Sequence, residues 1–567
     1  MPRFPDFRHC GRIVVVFLLL FGHIAFADER AADYGEAPLP CHGCPAGGPA
    51  IAGKTGSPGA KASPKCQCQR TSCCCGHVVD WSKVPQSIRP MPRPGDFPVR
   101  PSGLGYYSLF DQVLGIQQSK LPQSGYPPFA LMPPSFFDAD FRYLESLPYS
   151  QRTFEERLKR IPLGDCLTFS TGGQFWTRYM NEHNSRLTEF DNTFTLARAR
   201  AYADLMYGDR FRIFGEFIWA DSFQEDLDPL PIDVNRADLL NLFVDVNLFE
   251  FDGKPVFARV GRQELLLGSQ RMVSTLDCAN TLRTFEGVRL FRTGEKWDTD
   301  VFWTNFEPPD ADAFDEADGN RNFAGAWATH RPRKGHFLDL YYLYFDNSNA
   351  VEQLGIVRAP TEVHTLGTRY IGDRQGLLYE YEVALQFGNQ GGRDLLAGAA
   401  TAGIGRHWQD APLTPTFWVY YDWASGDSDP DSGDAHTFNQ LYPFGHYYMG
   451  WIDQVARQNI HDINAHLFLF PRKWLTLWLQ YHHFRLDHSA DALYNAGGVA
   501  RRRDATGNSG NHVGDEIDVI VNLHLTRYSD LLIGYSKLFG GGFLEGTAVG
   551  NNAADAELFY LNYQRKW

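Results

Sequence analysis

Residues 516–525, Glu-Ile-Asp-Val-Ile-Val-Asn-Leu-His-Leu, decide the fold. Ile517, Val519, Val521, Leu523 and Leu525 fall on one face of an extended chain, while Glu516, Asp518, Asn522 and His524 fall on the other; Ile520 breaks the alternation. Successive side chains of a strand point to opposite faces, so a period of two marks a strand with one apolar and one wet side. The pattern returns in Leu378–Phe387, where Tyr379, Tyr381, Val383, Leu385 and Phe387 oppose Glu380, Glu382, Ala384 and Gln386. It returns in Leu239–Leu248, with Leu240, Leu242, Val244, Val246 and Leu248 against Asn241, Asp245 and Asn247, and again in Trp474–His482. These stripes run nine to eleven residues. Strands of soluble sandwiches run roughly five or six, whereas a tilted strand needs about nine to eleven to cross a bilayer.

Eighteen windows of this kind can be placed, near 167–178, 194–206, 210–220, 239–249, 255–263, 285–293, 298–306, 322–330, 336–346, 362–371, 377–388, 397–408, 414–424, 460–470, 473–484, 514–525, 529–539 and 556–567. Alternation is poor in 322–330, 362–371 and 397–408, so 16 and 18 strands both satisfy the even count of a closed barrel. Trp423, Tyr481, Phe484 and Tyr563 stand at segment ends, where a membrane barrel carries aromatic girdles. The final segment alternates to Trp567, as expected of a last strand that closes the sheet and leaves no unpaired edge in lipid. The expected fold is all-β, a transmembrane antiparallel up-and-down barrel of about 18 strands over 161–567, with an irregular N-terminal extension.

The 567-residue chain carries 53 Lys and Arg against 67 Asp and Glu, a net charge of −14, which gives no global support for a nucleic-acid partner. Mean hydropathy is −0.34, and the chain has one short apolar run rather than several of about 20 residues, which excludes a helical membrane bundle. That run, Ile13–Phe26, follows Arg3, Arg8 and Arg12 and ends in Ala25-Phe26-Ala27, the pattern of a signal peptide over 1–27. No Cys follows directly, so a lipoprotein is not expected. The expected location is the Gram-negative-type outer membrane, with its lipid as one partner. Residues 28–160 read as a Cys- and Pro-rich periplasmic extension: seven of the ten cysteines lie within Cys41–Cys75, and prolines crowd Pro85–Pro134.

A barrel this wide cannot be filled by its own wall side chains and is expected to leave an aqueous channel. Its inward face is basic in the early strands: Arg178 with Gln174 and Trp176, Arg198 and Arg200 opposite a run of alanines, Arg212 with Glu216, then Arg259 and Arg289. Guanidinium stays charged and forks onto carboxylates, so such a set lowers the barrier for an anion. The alternative use of the same arginines is to pair with Glu216, Glu286, Glu380 and Glu382 and stiffen the wall.

Several motifs resemble the alginate export porin family: Val260-Gly-Arg-Gln-Glu264 with Gly268-Ser-Gln-Arg271, then Arg283-Thr-Phe-Glu-Gly-Val-Arg289 and Tyr421-Asp-Trp-Ala-Ser-Gly-Asp427. Thr437-Phe-Asn-Gln-Leu-Tyr-Pro-Phe-Gly-His446, Arg457-Gln-Asn459 and Asp491-Ala-Leu-Tyr494 complete the set, which spans about 165 to the end. The resemblance implies a single-chain, eighteen-stranded, monomeric barrel whose electropositive lumen passes a uronic-acid polymer outward, with Arg198, Arg200, Arg212, Arg259 and Arg289 as uronate contacts. Periplasmic secretion partners fit the same reading. Other acidic saccharides or small anions would use the same lumen, and a non-conducting, surface-anchoring barrel is the third reading. The Cys- and Pro-rich region is not part of the family pattern.

Asp427, Asp429 and Asp431 have part of a calcium-loop spacing, but Ser432 and Phe438 stand where an EF-hand needs Gly and Glu, so the expectation is no resident cofactor beyond loosely bound Ca²⁺ in an outer loop. Extracytoplasmic cysteines default to disulfides; seven is odd, which directs attention to Cys166 or Cys278 as a partner. His482, His483, His488 and Ser489 are the nearest approach to a hydrolase, yet His482 and His483 fall on opposite faces and no Gly-x-Ser-x-Gly elbow is present, so no enzyme is expected.

Overall fold

The computed structural model describes residues 100–125, 135–164, 167–548 and 554–567. The signal peptide over 1–27, the cysteines up to Cys75, Cys166 and most prolines of the stretch Pro85–Pro134 lie outside the described residues. Eighteen long strands form one sheet: β1 (Leu167–His183), β2 (Asn192–Tyr207), β3 (Phe211–Phe223), β4 (Asn235–Phe251), β5 (Lys254–Gln263), β6 (Thr284–Thr293), β7 (Trp297–Glu307), β8 (Arg321–His330) and β9 (His336–Gln353). The second half is β10 (Ile356–Arg374), β11 (Leu377–Gln390), β12 (Arg393–His407), β13 (Thr416–Ala424), β14 (Ile460–Arg472), β15 (Leu475–Leu486), β16 (His512–His524), β17 (Ser529–Gly540) and β18 (Ala556–Lys566). Each strand pairs antiparallel with its neighbours in the chain, and β1 closes on β18 from Gln174↔Lys566 to His183↔Glu557. The count is therefore 18, and the three windows with poor alternation are strands β8, β10 and β12.

Alternation is the physical cause of the wall. In β16, Glu516, Asp518, Asn522 and His524 point inward and are buried, while Ile517 and Val519 are exposed toward lipid. In β11, Glu380 and Glu382 are buried while Tyr381, Val383 and Leu385 remain about half exposed. Ile520 faces inward because an apolar cluster fills the lumen beside it. One expectation from the pattern is corrected: Leu240 does not join Leu242 on the outer face. A β-bulge shifts the β3–β4 register between Glu216↔Asn241 and Phe217↔Leu239, and the extra residue, Leu240, turns inward against Ile218, Ala220 and Leu282.

Strand lengths reach 19 residues in β10, well beyond the nine to eleven expected, so part of the wall rises past the bilayer. No helix among the described residues is long and apolar enough to cross a membrane; the strands do the crossing. Connections at one end are short (208–210, 252–253, 294–296, 375–376, 473–474), whereas 264–283, 308–320, 425–459 and 487–511 extend from the other. Short turns belong to the periplasmic side.

The lumen is not the plain aqueous channel expected from barrel width. Connections 264–283 and 425–459 fold into it and pair with each other: Val273 bridges Tyr442, the Ser274 N–H donates to the Tyr442 carbonyl at 2.9 Å, and the Phe444 N–H donates to the Gln270 carbonyl at 2.9 Å. Leu265, Leu267, Val273, Phe438, Tyr447 and Val455 are buried there with inward wall residues such as Trp478 and Tyr560. Where these loops meet β1 and β18 a gap of 30 Å³ remains, room for about one water. A barrel too wide for its own side chains is filled here by its own loops.

Candidate functional site

All six arginines singled out in the sequence lie on the inner wall, and they stand at two levels. Near the periplasmic turns a band of charge runs from strand to strand. Arg212 forks onto Asp204 (2.8 Å from both Nε and Nη2) and lies 3.8 Å from Asp245; Arg259 forks onto Asp245 (2.7 and 2.9 Å); Arg289 donates to Asp300 at 2.8 Å. The register makes this band, because Asp245 lies opposite Arg212 on β3 and opposite Arg259 on β5. Arg259 in turn lies opposite Arg289, like charge beside like charge, separated only by what each finds in its own carboxylate.

One level up, the arginines meet loop 264–283. Arg200 donates to Glu216 at 2.6 Å and lies 3.7 Å from Glu264. Arg198 donates to the Ala279 carbonyl at 2.7 Å and pairs with Asp277 at 3.3 Å. Arg178 donates to the Cys278 carbonyl at 3.1 Å and covers the rings of Trp176 and Tyr560. Cys278 is a free thiol, so it does not complete the odd cysteine count. Burial leaves donors over: Arg198 Nε, Arg200 Nη2, Arg212 Nη1 and Arg259 Nη1 are buried without a hydrogen-bond partner. Of the acids proposed as their partners, Glu216 takes Arg200, whereas Glu380 and Glu382 belong to a different set and Glu286 lies on the outer face.

Sequence reasoning missed that second set, on the opposite wall. Arg271, from loop 264–283, donates to Glu380 at 2.9 Å, lies 3.8 Å from both Glu382 and Asp422, and covers the Tyr448 ring at 4.0 Å. Arg369 of β10 joins Glu380 (2.6 Å) to Asp339 (3.1 Å), and Arg457 donates to Thr401 Oγ1 at 2.8 Å. The signal was in the motifs: Gly268–Arg271, Thr437–His446, Arg457–Asn459 and Asp491–Tyr494 lie in the inward-folded loops or in the loop that braces them. Gly268 has φ of +55°, and a Cβ there would lie 2.3 Å from the Trp327 ring. Asp491 accepts from the Asp427 N–H (3.0 Å) and Thr437 Oγ1 (2.6 Å), tying 487–511 to 425–459.

The second omission is the N-terminal segment. Phe136 and Phe137 sit inside the periplasmic mouth against Tyr202, Phe214 and Phe243, with ring centroids 5.0–5.6 Å apart. Arg200 lies over Phe136 and Arg259 over Phe137, both at 4.4 Å, and Arg212 donates to the Phe137 carbonyl at 3.0 Å. The segment is held by Glu155–Arg565 (2.7 Å), Glu156–Arg527 (2.9 Å) and the buried Lys159, whose Nζ donates to Tyr202 Oη (2.8 Å) and the main-chain oxygens of Thr171 (2.5 Å) and Trp567 (3.0 Å). Burial pushes Lys159 down to about 7.

The aspartates of the partial calcium spacing are each turned to a different donor. Asp427 accepts from the Asp429 N–H at 3.0 Å, Asp429 from Ser432 Oγ at 2.5 Å, and Asp431 from Arg503 at 2.8 Å. His482 points inward to Asp462 (2.8 Å) and His483 outward to Asp515 (2.9 Å).

No curated protein matches the chain. Among solved structures it is similar to OccD3 (OpdP) of Pseudomonas aeruginosa, at 9% identity over 70% of this chain and 91% of that one, with a TM-score of 0.47. It is also similar to OprD of Pseudomonas aeruginosa (10% identity, 70% and 94% covered, TM-score 0.45) and to OccAB1 of Acinetobacter baumannii (11%, 70% and 96%, 0.48). The model of the family described as "Alginate export" matches residues 168–557, from the first barrel strand to the last. With eighteen strands closed into one wall, an apolar face toward lipid and a charged face within, the chain belongs to the alginate export family of outer-membrane β-barrel proteins.

Proposed function

We propose that this channel passes an anionic solute, an acidic polysaccharide of the alginate type, by passive diffusion along its arginine-bearing inner wall. The observation that carries the reading is the set of buried guanidinium donors on Arg198, Arg200, Arg212 and Arg259 that make no hydrogen bond. A uronate carboxylate is the complementary acceptor, and it would enter sites where Arg200, Arg212 and Arg259 are already oriented by carboxylates of the wall and Arg198 by Asp277 of loop 264–283. The acids balance the arginines while no solute is bound; the spare donors give the incoming anion its hydrogen bonds. Family membership supports the choice of saccharide. The process involves no chemical step.

The filled lumen favours a second reading, a structural barrel that does not conduct. Single-channel recording in planar bilayers separates the two. The proposal expects current, an anion-side reversal potential under a salt gradient, and block by oligouronates; absence of current even after Phe136→Ala and Phe137→Ala favours the structural barrel.

A further inference from the structure

We propose that the outer rim of the barrel carries a Zn²⁺-class metal site formed by His483, His512 and Asp515, independent of whatever crosses the lumen. Asp515 Oδ1 lies 2.9 Å from His483 Nδ1, and Asp515 Oδ2 lies 3.4 Å from His512 Nε2. Among the described residues these three bring one ligand atom each to within 4.8 Å of one another. Tetrahedral zinc with bonds of 2.0–2.1 Å separates its ligand atoms by about 3.3 Å, so little movement is needed to close on an ion. His512 Nε2 is buried at the atom and makes no hydrogen bond. Two imidazoles and one carboxylate select a borderline first-row ion over Ca²⁺ or Mg²⁺, which take oxygen.

The backbone is deformed to make this arrangement. Residues three apart on a regular strand face opposite ways, yet His512 and Asp515 meet. A bulge does it: Phe484 pairs with Gly514 but Arg485 pairs with His512, skipping Val513. Gly514 has φ of +153°, and a Cβ there would lie 2.3 Å from the Phe539 carbonyl oxygen, so the bulge requires glycine. Its product is the stacking of the His512 and His483 rings, with centroids 5.2 Å apart. Tyr481 Oη donates to Asp515 Oδ1 at 2.6 Å and fixes the carboxylate from below. Asp487 also meets two imidazoles, His461 and His488, but its oxygens already accept from the Trp423 indole and the Gly426 N–H. The three side chains are roughly a third to two-fifths exposed, which puts the site at the surface, and a small turn of the His512 ring would open its buried Nε2 to the ion. Bound metal would lock β15 to β16 at the base of loop 487–511, which braces the lumen loops.

The test uses the full chain in detergent micelles, stripped with chelator, loaded with ZnCl₂, desalted and measured by metal mass spectrometry. The parent should retain one zinc more per chain than the His483→Ala, His512→Ala double variant, and His364→Ala should match the parent. Equal zinc in parent and double variant would overturn the proposal. Should the double variant lose the heat-modifiable migration of a folded barrel, the parent alone decides: zinc should protect His483 and His512 from diethylpyrocarbonate, and equal modification with and without zinc would overturn it.

Discussion

Asp245 illustrates what single residues do in the inner wall. It is fully buried and serves Arg259 directly and Arg212 at longer range, so it neutralises two guanidiniums on two strands. Removing one member of a buried pair leaves a charge without compensation, at a cost of about 3–5 kcal/mol. Asp245→Asn should therefore lower the unfolding free energy of the barrel measured by urea titration by that order, whereas Asp312→Asn at the exposed Arg236 should be nearly silent. Lys159 makes a different kind of prediction. Its value falls from 10.5 to about 7 on docking, so the docked state binds fewer protons between those pH values. The contribution is present above pH 10.5, is lost as pH falls toward 7, and is flat below. Trypsin cleavage within 135–158 should thus slow as pH rises from 7 to 10, after correction for trypsin's own profile, and Lys159→Met should flatten that trend.

At the scale of elements, strands were legible and fillers were not. The eighteen windows all became strands because lipid on one face and charge on the other impose a period of two along the whole wall. Leu240 escaped because a bulge inserts one residue without altering the composition of the stretch. Loops 264–283 and 425–459 have no period, so their inward course left no sequence trace except the motifs, which mark tight approaches such as Gly268 on Trp327. Phe136-Phe137 was hidden just past the proline-rich stretch, in an extension that reads as irregular. The arginine positions on the wall were readable from alternation; of their partners only Glu216 was, because an acid such as Asp245 is chosen by register between strands. The wedge can be tested at this scale. Burial of a Phe ring is worth about 3–5 kcal/mol against Ala, so Phe136→Ala with Phe137→Ala should release the segment and raise both open probability and susceptibility of 135–158 to protease. Unchanged recordings would mean that the segment is not what closes the periplasmic mouth.

The whole molecule combines a wall that faces lipid, loops that enter from outside and a wedge that enters from the periplasm. The two fillers meet the same side chains: Arg200 touches Phe136 on one side and approaches Glu264 on the other. On the proposed function, an anionic solute and the wedge would compete for one set of arginines, which would couple occupancy of the lumen to release of the segment. The measurement closest to this claim is the reversal potential and oligouronate block of the Phe136→Ala, Phe137→Ala barrel, with and without Arg198→Ala and Arg200→Ala. The account predicts an anion-side reversal potential and block by oligouronate but not by a neutral oligosaccharide of equal length, both diminished by the arginine substitutions. Cation preference, or equal block by the neutral saccharide, would contradict it.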